Sequence, residues 1–301
     1  MARDCQTAAE ILTVIAGKDE KDPATASIPF DKIPDYGKAC SSKGLEGAKI
    51  GVPSNFITQT ASNTPEIAAF NASFDTIRSI GASVQLDANF PDLATYRNVS
   101  NSGIVLGTDF IYDLKDYLDL LVENPQNVTD LPSLVDFTQT TPEEEFPSRN
   151  VATWEAALEL GLTQESPEYL AAVAQNMYLG QEATILGALD NFDLDALILP
   201  TSQSAGVAAI AGYPVITVPL GFYPPTQEVV MNARGNLVAL GPNIPFGLSF
   251  IGRKFSEEKL IKYACAFEAA TQVRENGPKP YFVSDSFLLQ TRERDEAEIS
   301  S

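Results

Sequence analysis

The chain has 301 residues, 44% hydrophobic and 20% charged, which is apolar enough for a large buried core and argues against wholesale disorder. A formal net charge of −20 repels phosphate backbones and anionic lipid, so neither nucleic acid nor a membrane is an expected partner. The sequence contains no histidine, which removes Ser–His–Asp and Cys–His catalysis and the common histidine metal sites.

In chain order, residues 4–16 read as a helix capped by Asp4, with Ala8, Ile11, Leu12 and Ile15 in one stripe and Gly17 at the exit. The charged loop 18–23 fits no metal-ligand spacing and reads as solvated. Residues 48–86 form a βαβ pattern: a strand at 48–52, a helix opened by Thr64-Pro65-Glu66 with Thr64 as cap, and a strand at 82–86. Ile67, Phe70, Phe74 and Ile77 share one helix face, and a crossover of this length makes the two strands parallel.

The middle third is mostly helical, at 108–122, 151–161 and 166–190, with Phe110, Leu114, Tyr117, Leu118 and Leu121 in period across the first. A Pro- and Asn-rich loop covers 124–132, the run Leu134–Phe137 follows, and an acidic turn covers 141–145. Further on, 194–199, 215–218 and 247–251 are apolar runs expected to be strands covered on both faces. The last leads to a helix capped by Ser256, with Leu260, Ala264 and Phe267 inward. Strands alternating with helices predict an α/β sandwich around a mixed, largely parallel sheet.

Cys5, Cys40 and Cys265 lie far apart with no Cys-x-x-Cys pair, which predicts three free, mostly buried thiols. Sequons occur at Asn71, Asn98 and Asn127, close to the number expected by chance, so they say little about secretion. No transmembrane run and no signal-peptide progression is visible. The compartment therefore stays open, with the cytoplasm as default and secretion of a longer form as the alternative. No phosphate loop or dinucleotide fingerprint occurs, so no cofactor is expected.

Two punctuated strands carry the strongest signal: Ala211-Gly212-Tyr213-Pro214-Val215-Ile216-Thr217-Val218-Pro219-Leu220-Gly221, then Pro245-Phe246-Gly247-Leu248-Ser249-Phe250-Ile251-Gly252-Arg253. Together with Met1-Ala2-Arg3, Asp19-Glu20-Lys21-Asp22-Pro23, the 47–53 strand, Asp109–Leu118, Ser133–Phe137 and Leu194–Thr201, this pair resembles the carboxyl-terminal part of the amidase signature family. The likeness runs over residues 1–283, and the segments at 109–137 resemble a branch found among bacterial and fungal amidases. It implies a single, incomplete amidase-signature domain over 1–301, with 284–301 as an acidic tail. Members of the family hydrolyse amides with a Ser–Ser–Lys triad, in which a lysine follows an amino-terminal strand and a Gly-Gly-Ser-Ser-Gly-Gly-Ser loop supplies both serines and the oxyanion-hole amides.

No segment of this chain matches that loop. A unit of this kind loses essentially all covalent catalysis when its members are missing, so no catalytic residue is expected here and the chain alone is expected to be inactive. Lys38, Ser41, Ser42 and Lys43 lie close together, but in a connector without oxyanion-hole glycines, and read as a solvated loop. The resemblance places Thr201, Ser202, Gly212, Tyr213 and Pro214 beside the acyl cleft, as substrate-lining residues or as simple turn chemistry. The expected partners are a small-molecule amide in the full-length form and either the missing amino-terminal part or a second copy. Without such a partner, exposed strand edges predict poor solubility. A non-catalytic pseudoenzyme or binding module built on the same fold is the alternative. A third reading is the ammonia-supplying component of an amidotransferase.

Overall fold

The computed structural model describes residues 2–99 and 101–279; Met1 and the acidic tail at 284–301 lie outside them. Helix α1 (Cys5–Ile15) is capped by Asp4, whose side chain accepts from the Thr7 N–H. Strand β1 (Lys49–Gly51), helix α2 (Thr64–Ser79) and strand β2 (Ser83–Gln85) form the expected parallel unit. Short α3 (Leu93–Asn98) leads to α4 (Ser102–Asp119), α5 (Leu131–Thr140) and α6 (Ala152–Glu159). Helix α7 (Pro167–Gly180) passes through a π turn at Gln181–Ile185 into α8 (Leu186–Asn191). The remaining elements are β3 (Ala196–Pro200), α9 (Ala205–Ala209), β4 (Val215–Phe222), β5 (Val230–Met231), β6 (Val238–Leu240), β7 (Pro245–Ile251), α10 (Glu257–Thr271) and α11 (Val273–Asn276).

Five strands form a mixed sheet in the order β2-β1-β3-β7-β4, and β5 and β6 pair separately. Parallel pairing is confined to the β2-β1-β3 side; β7 runs antiparallel to both β3 and β4. Alternate side chains of β3 feed opposite faces, as a period of two requires. Ala196 and Ile198 join a core with residues of α1, α2 and α10, while Leu197 and Leu199 join one with residues of α3, α8 and α9. Every residue of β3 is buried, which is why its sequence is continuously apolar.

At the start of β1 and β3, Asp195 accepts from the Lys49 N–H and the Lys259 ammonium, both at 2.9 Å. Burial pushes its carboxyl up, but these donors prevail and hold it below the ordinary carboxylate range.

Several expectations need correction. In α1 the buried residues are Cys5 and Ala9, and of the expected stripe Leu12 packs against the core whereas Ile11 and Ile15 are exposed. The cap of α2 is Asn63, one residue earlier than expected, because Thr64 turns its hydroxyl back to the Thr60 carbonyl. Glu66 does stand in the first turn of α2, as expected, and it is buried there and accepts from the Tyr223 hydroxyl at 3.3 Å. The helix expected over 166–190 is interrupted by the π turn, where the buried Thr184 hydroxyl donates to the Leu179 carbonyl.

Strand β4 is an edge rather than a covered strand, and it exposes Val215 and Thr217. Pro219, which has no N–H to give to a ladder, is the residue that marks it as one. Finally, Cys40 and Cys265 form a disulfide across 225 residues, with Cα atoms 5.4 Å apart, and only Cys5 is free. Packing of α10 against the 36–39 turn brings these two together; spacing in the chain carries no trace of it.

Candidate functional site

At the carboxyl end of β3 the chain leaves the sheet through a tight turn, Thr201–Gln203, and enters α9. Four hydroxyls meet here. Ser249 of β7 lies opposite Leu199 on one side and Thr217 on the other. Its Oγ, fully buried, sits 2.9 Å from Thr201 Oγ1, Ser204 Oγ and Thr217 Oγ1, and Ser204 Oγ is 3.1 Å from the Thr201 carbonyl. One hydroxyl offers one donor and two acceptor positions, so three neighbours saturate Ser249. Gly247 is required beside this seam, since a Cβ there would come within 2.7 Å of Thr201 Oγ1.

The loops after the parallel strands are tied together at the same end. Gln203 donates to the Thr58 carbonyl at 2.9 Å and accepts from the Thr58 N–H at 2.7 Å, which joins the β3 exit to the loop after β1. Asn55 holds that loop to the segment after β2, exchanging hydrogen bonds with the Phe90 backbone at 3.0 and 3.1 Å. The Phe56 ring packs against Phe90 and Tyr96, with centroids 5.1 and 5.8 Å away. Ligands of open α/β sheets bind at this end, where crossovers diverge.

The expected lining residues are distributed unevenly. Thr201 belongs to the hydroxyl seam, and Ser202 is exposed one residue on. Gly212 supplies the left-handed turn before β4, with φ +68. The Tyr213 ring is half-buried against the α3, α8 and α9 face, and its hydroxyl makes no hydrogen bond within the described residues. Burial, with the Glu182 charge nearby, raises its pKa, so it stays a neutral donor. Pro214 points elsewhere, into an apolar groove of about 240 Å³ between α1, β4 and α10. Among the described residues no hydrogen bond joins Thr201 or Ser202 to Tyr213.

Lys38 lies 2.7 Å from Asp35, and that hydrogen bond pushes its pKa up, the opposite of what a general base needs. Ser41 and Ser42 are exposed beside it. Among the described residues no cluster of three or more acidic or cysteine side chains could hold a metal ion.

Sequence reasoning missed Ser249, Thr217, Gln203 and Asn55. The first two lay inside recognised strands, where a polar residue in an otherwise apolar run was the available signal. Gln203 and Asn55 carry no local signature, because their partners lie 145 and 35 residues away.

Fold and seam define an α/β protein in which the loops after β1, β2 and β3 gather at one end of the sheet. The chain belongs to the amidase family, whose model, described as Amidase, matches residues 1–261. A protein of Arthroderma benhamiae named as an amidase is 42% identical over 274 residues, which cover 91% of this chain and 46% of that one. The native peptide amidase of Stenotrophomonas maltophilia is 27% identical with a TM-score of 0.75, over 94% of this chain and 54% of that one. A protein of Arabidopsis thaliana, also named as an amidase, is 28% identical over 281 residues, 91% of this chain and 48% of that one. The chain spans about half the length of the relatives it matches.

Proposed function

We propose that this chain is the carboxyl-terminal part of a single amidase-signature domain over 1–301, and that the whole protein hydrolyses a linear carboxamide to acid and amine. The observation that carries this reading is the family match over residues 1–261. The nucleophilic serine, its bridging serine and the lysine base lie in no part of the 301 residues. The hydroxyls of Thr201, Ser204, Thr217 and Ser249 bond one another, with no lysine or carboxylate among their hydrogen-bond partners within the described residues. A serine without a base is a weak nucleophile, so the chain alone has no turnover.

Its contribution is a wall. Thr201 and Ser202 border the cleft at the β3 exit, Gly212 turns the chain back, and Tyr213 offers a neutral phenol to the substrate; Pro214 serves the turn. The activating residues come from the polypeptide that completes the domain. Its docking face is the groove lined by Ile11, Ile15, Val215 and Leu260, next to the β4 edge. Two observations support that face: Ile15 is 73% exposed, and Glu257 keeps a shielded carboxylate oxygen with no hydrogen-bond partner among the described residues.

The test is a chimera in which the amino-terminal half of the Arthroderma relative precedes this chain. Hydrolysis of linear carboxamides is expected, and Tyr213→Phe and Thr201→Val should each raise KM up to about tenfold with kcat little changed. A soluble, folded chimera with no turnover would favour the pseudoenzyme reading instead. Unchanged kinetics in both variants would remove these residues from the cleft wall.

A further inference from the structure

The loop between α4 and α5 is built as a pedestal for one side chain. The Asn127 N–H donates to the Asn124 carbonyl at 3.0 Å, closing a turn that has Pro125 at its second position. The Asn124 carboxamide then grips Val128 from both sides, donating to its carbonyl at 2.7 Å and accepting from its N–H at 3.2 Å. Val128 is buried, which pins the turn to the body of the protein. Asn127 itself stands out at φ +51, a conformation asparagine tolerates better than most residues, and its carboxamide makes no hydrogen bond within the described residues. Thr129, two residues on, is exposed as well.

Asn127-Val128-Thr129 is an acceptor sequon, and the fold presents both its asparagine and its threonine to solvent. The other two sequons differ. Asn71 is exposed on α2, but Ser73 is buried and donates to the Phe70 carbonyl at 2.6 Å. The sequon of Asn98 ends at Ser100, outside the described residues.

A sequon by itself is common. The independent observation is the Cys40–Cys265 disulfide, since a bridge of this kind persists in oxidising compartments and is rare where glutathione keeps thiols reduced. Cys265 is 5% exposed and packs in the main core, so the bridge is part of the folded interior rather than a surface accident. Burial, with Glu268 beside it, pushes the Cys5 thiol up and keeps it protonated, so Cys5 is a poor partner for exchange with the bridge.

We propose that this protein matures in the secretory pathway, with Asn127 carrying an N-linked oligosaccharide and Cys40 joined to Cys265. In that transfer the Asn127 carboxamide nitrogen displaces the pyrophosphate of a lipid-linked oligosaccharide. A bond forms from nitrogen to the anomeric carbon, the carbon–oxygen bond to pyrophosphate breaks, and the amide gives up one proton. The inference stands apart from the amidase reading, because it uses neither the cleft nor a substrate.

The test is peptide mapping of the protein purified from its own source under non-reducing conditions. After peptide N-glycosidase treatment in heavy-oxygen water, residue 127 is expected to read as aspartate carrying one heavy oxygen, and the Cys40 and Cys265 peptides to run as one linked species. An unmodified Asn127 peptide overturns the proposal, and so do free thiols at Cys40 and Cys265. In a secreting eukaryotic host, Asn127→Gln and Thr129→Ala should each remove one glycosidase-sensitive mobility step while Thr129→Ser keeps it. Wild-type mobility in the first two would contradict the assignment.

Discussion

The sheet and the helices α4–α7 use the same apolar residue types to opposite ends. In β3 all five consecutive residues are buried, and the first four alternate between two cores. In α4 and the turn after it, Leu106, Tyr117 and Leu120 stand exposed and Val122 is 99% accessible. Hydrophobicity alone does not bury a residue; a partner surface does. Strand β3 finds its partners within the described residues, from helices on both faces. The helical segment packs largely on itself, around a stacked Phe110–Trp154 pair, and leaves an apolar face open.

This contrast yields tests of decreasing size. Phe250→Ala, in the middle of β7, should cost about 3–5 kcal/mol in chemical denaturation, because a large buried ring leaves a cavity that the sheet cannot close. A loss near zero would mean that the sheet core is not the stability centre. Cys265→Ala should cost about 2–4 kcal/mol through the long closed loop and abolish the effect of reductant on the melting temperature. Asp195→Ala should cost about 1 kcal/mol at neutral pH, since two hydrogen bonds that cross from β1 and α10 are lost.

The pH dependence of that last effect follows from the depressed Asp195 pKa. Stability from this group is present above the ordinary carboxylate pKa and is lost as pH falls through the lower folded value. The wild-type and Asp195→Ala melting curves should therefore converge in acid, and a constant gap down to the lowest pH would rule out the charge as the cause. At the small end, Leu120→Ser should change stability by no more than about 0.5 kcal/mol, since the side chain is already in water. A larger loss would show that the α4 face is covered.

Where local pattern and tertiary packing agree, the fold was legible in the sequence. The βαβ unit over 48–86 is an example: Ile67, Phe70, Phe74 and Ile77 are all buried where the period places them. The continuous run of β3 and the inward face of α10 were equally plain. Periodicity misled at α1 and α4, because a stripe marks which residues share a face without saying whether anything lies against it. The Cys40–Cys265 bridge was invisible because it depends on two segments meeting in space. Of the candidate site, Thr201 was legible through its place after a buried strand. Its partner Ser249 was not, because a lone serine in an apolar strand acquires meaning only from the strands beside it.

The claim that matters most is that these hydroxyls form a structural seam and not a nucleophile. An acyl-phosphonate serine probe applied to purified residues 1–301, read by intact mass and peptide mapping, tests it directly. The account predicts no covalent adduct at any serine, including Ser202, Ser204 and Ser249, and no release of amine from a carboxamide panel. Stoichiometric labelling of one serine by the folded chain would contradict it.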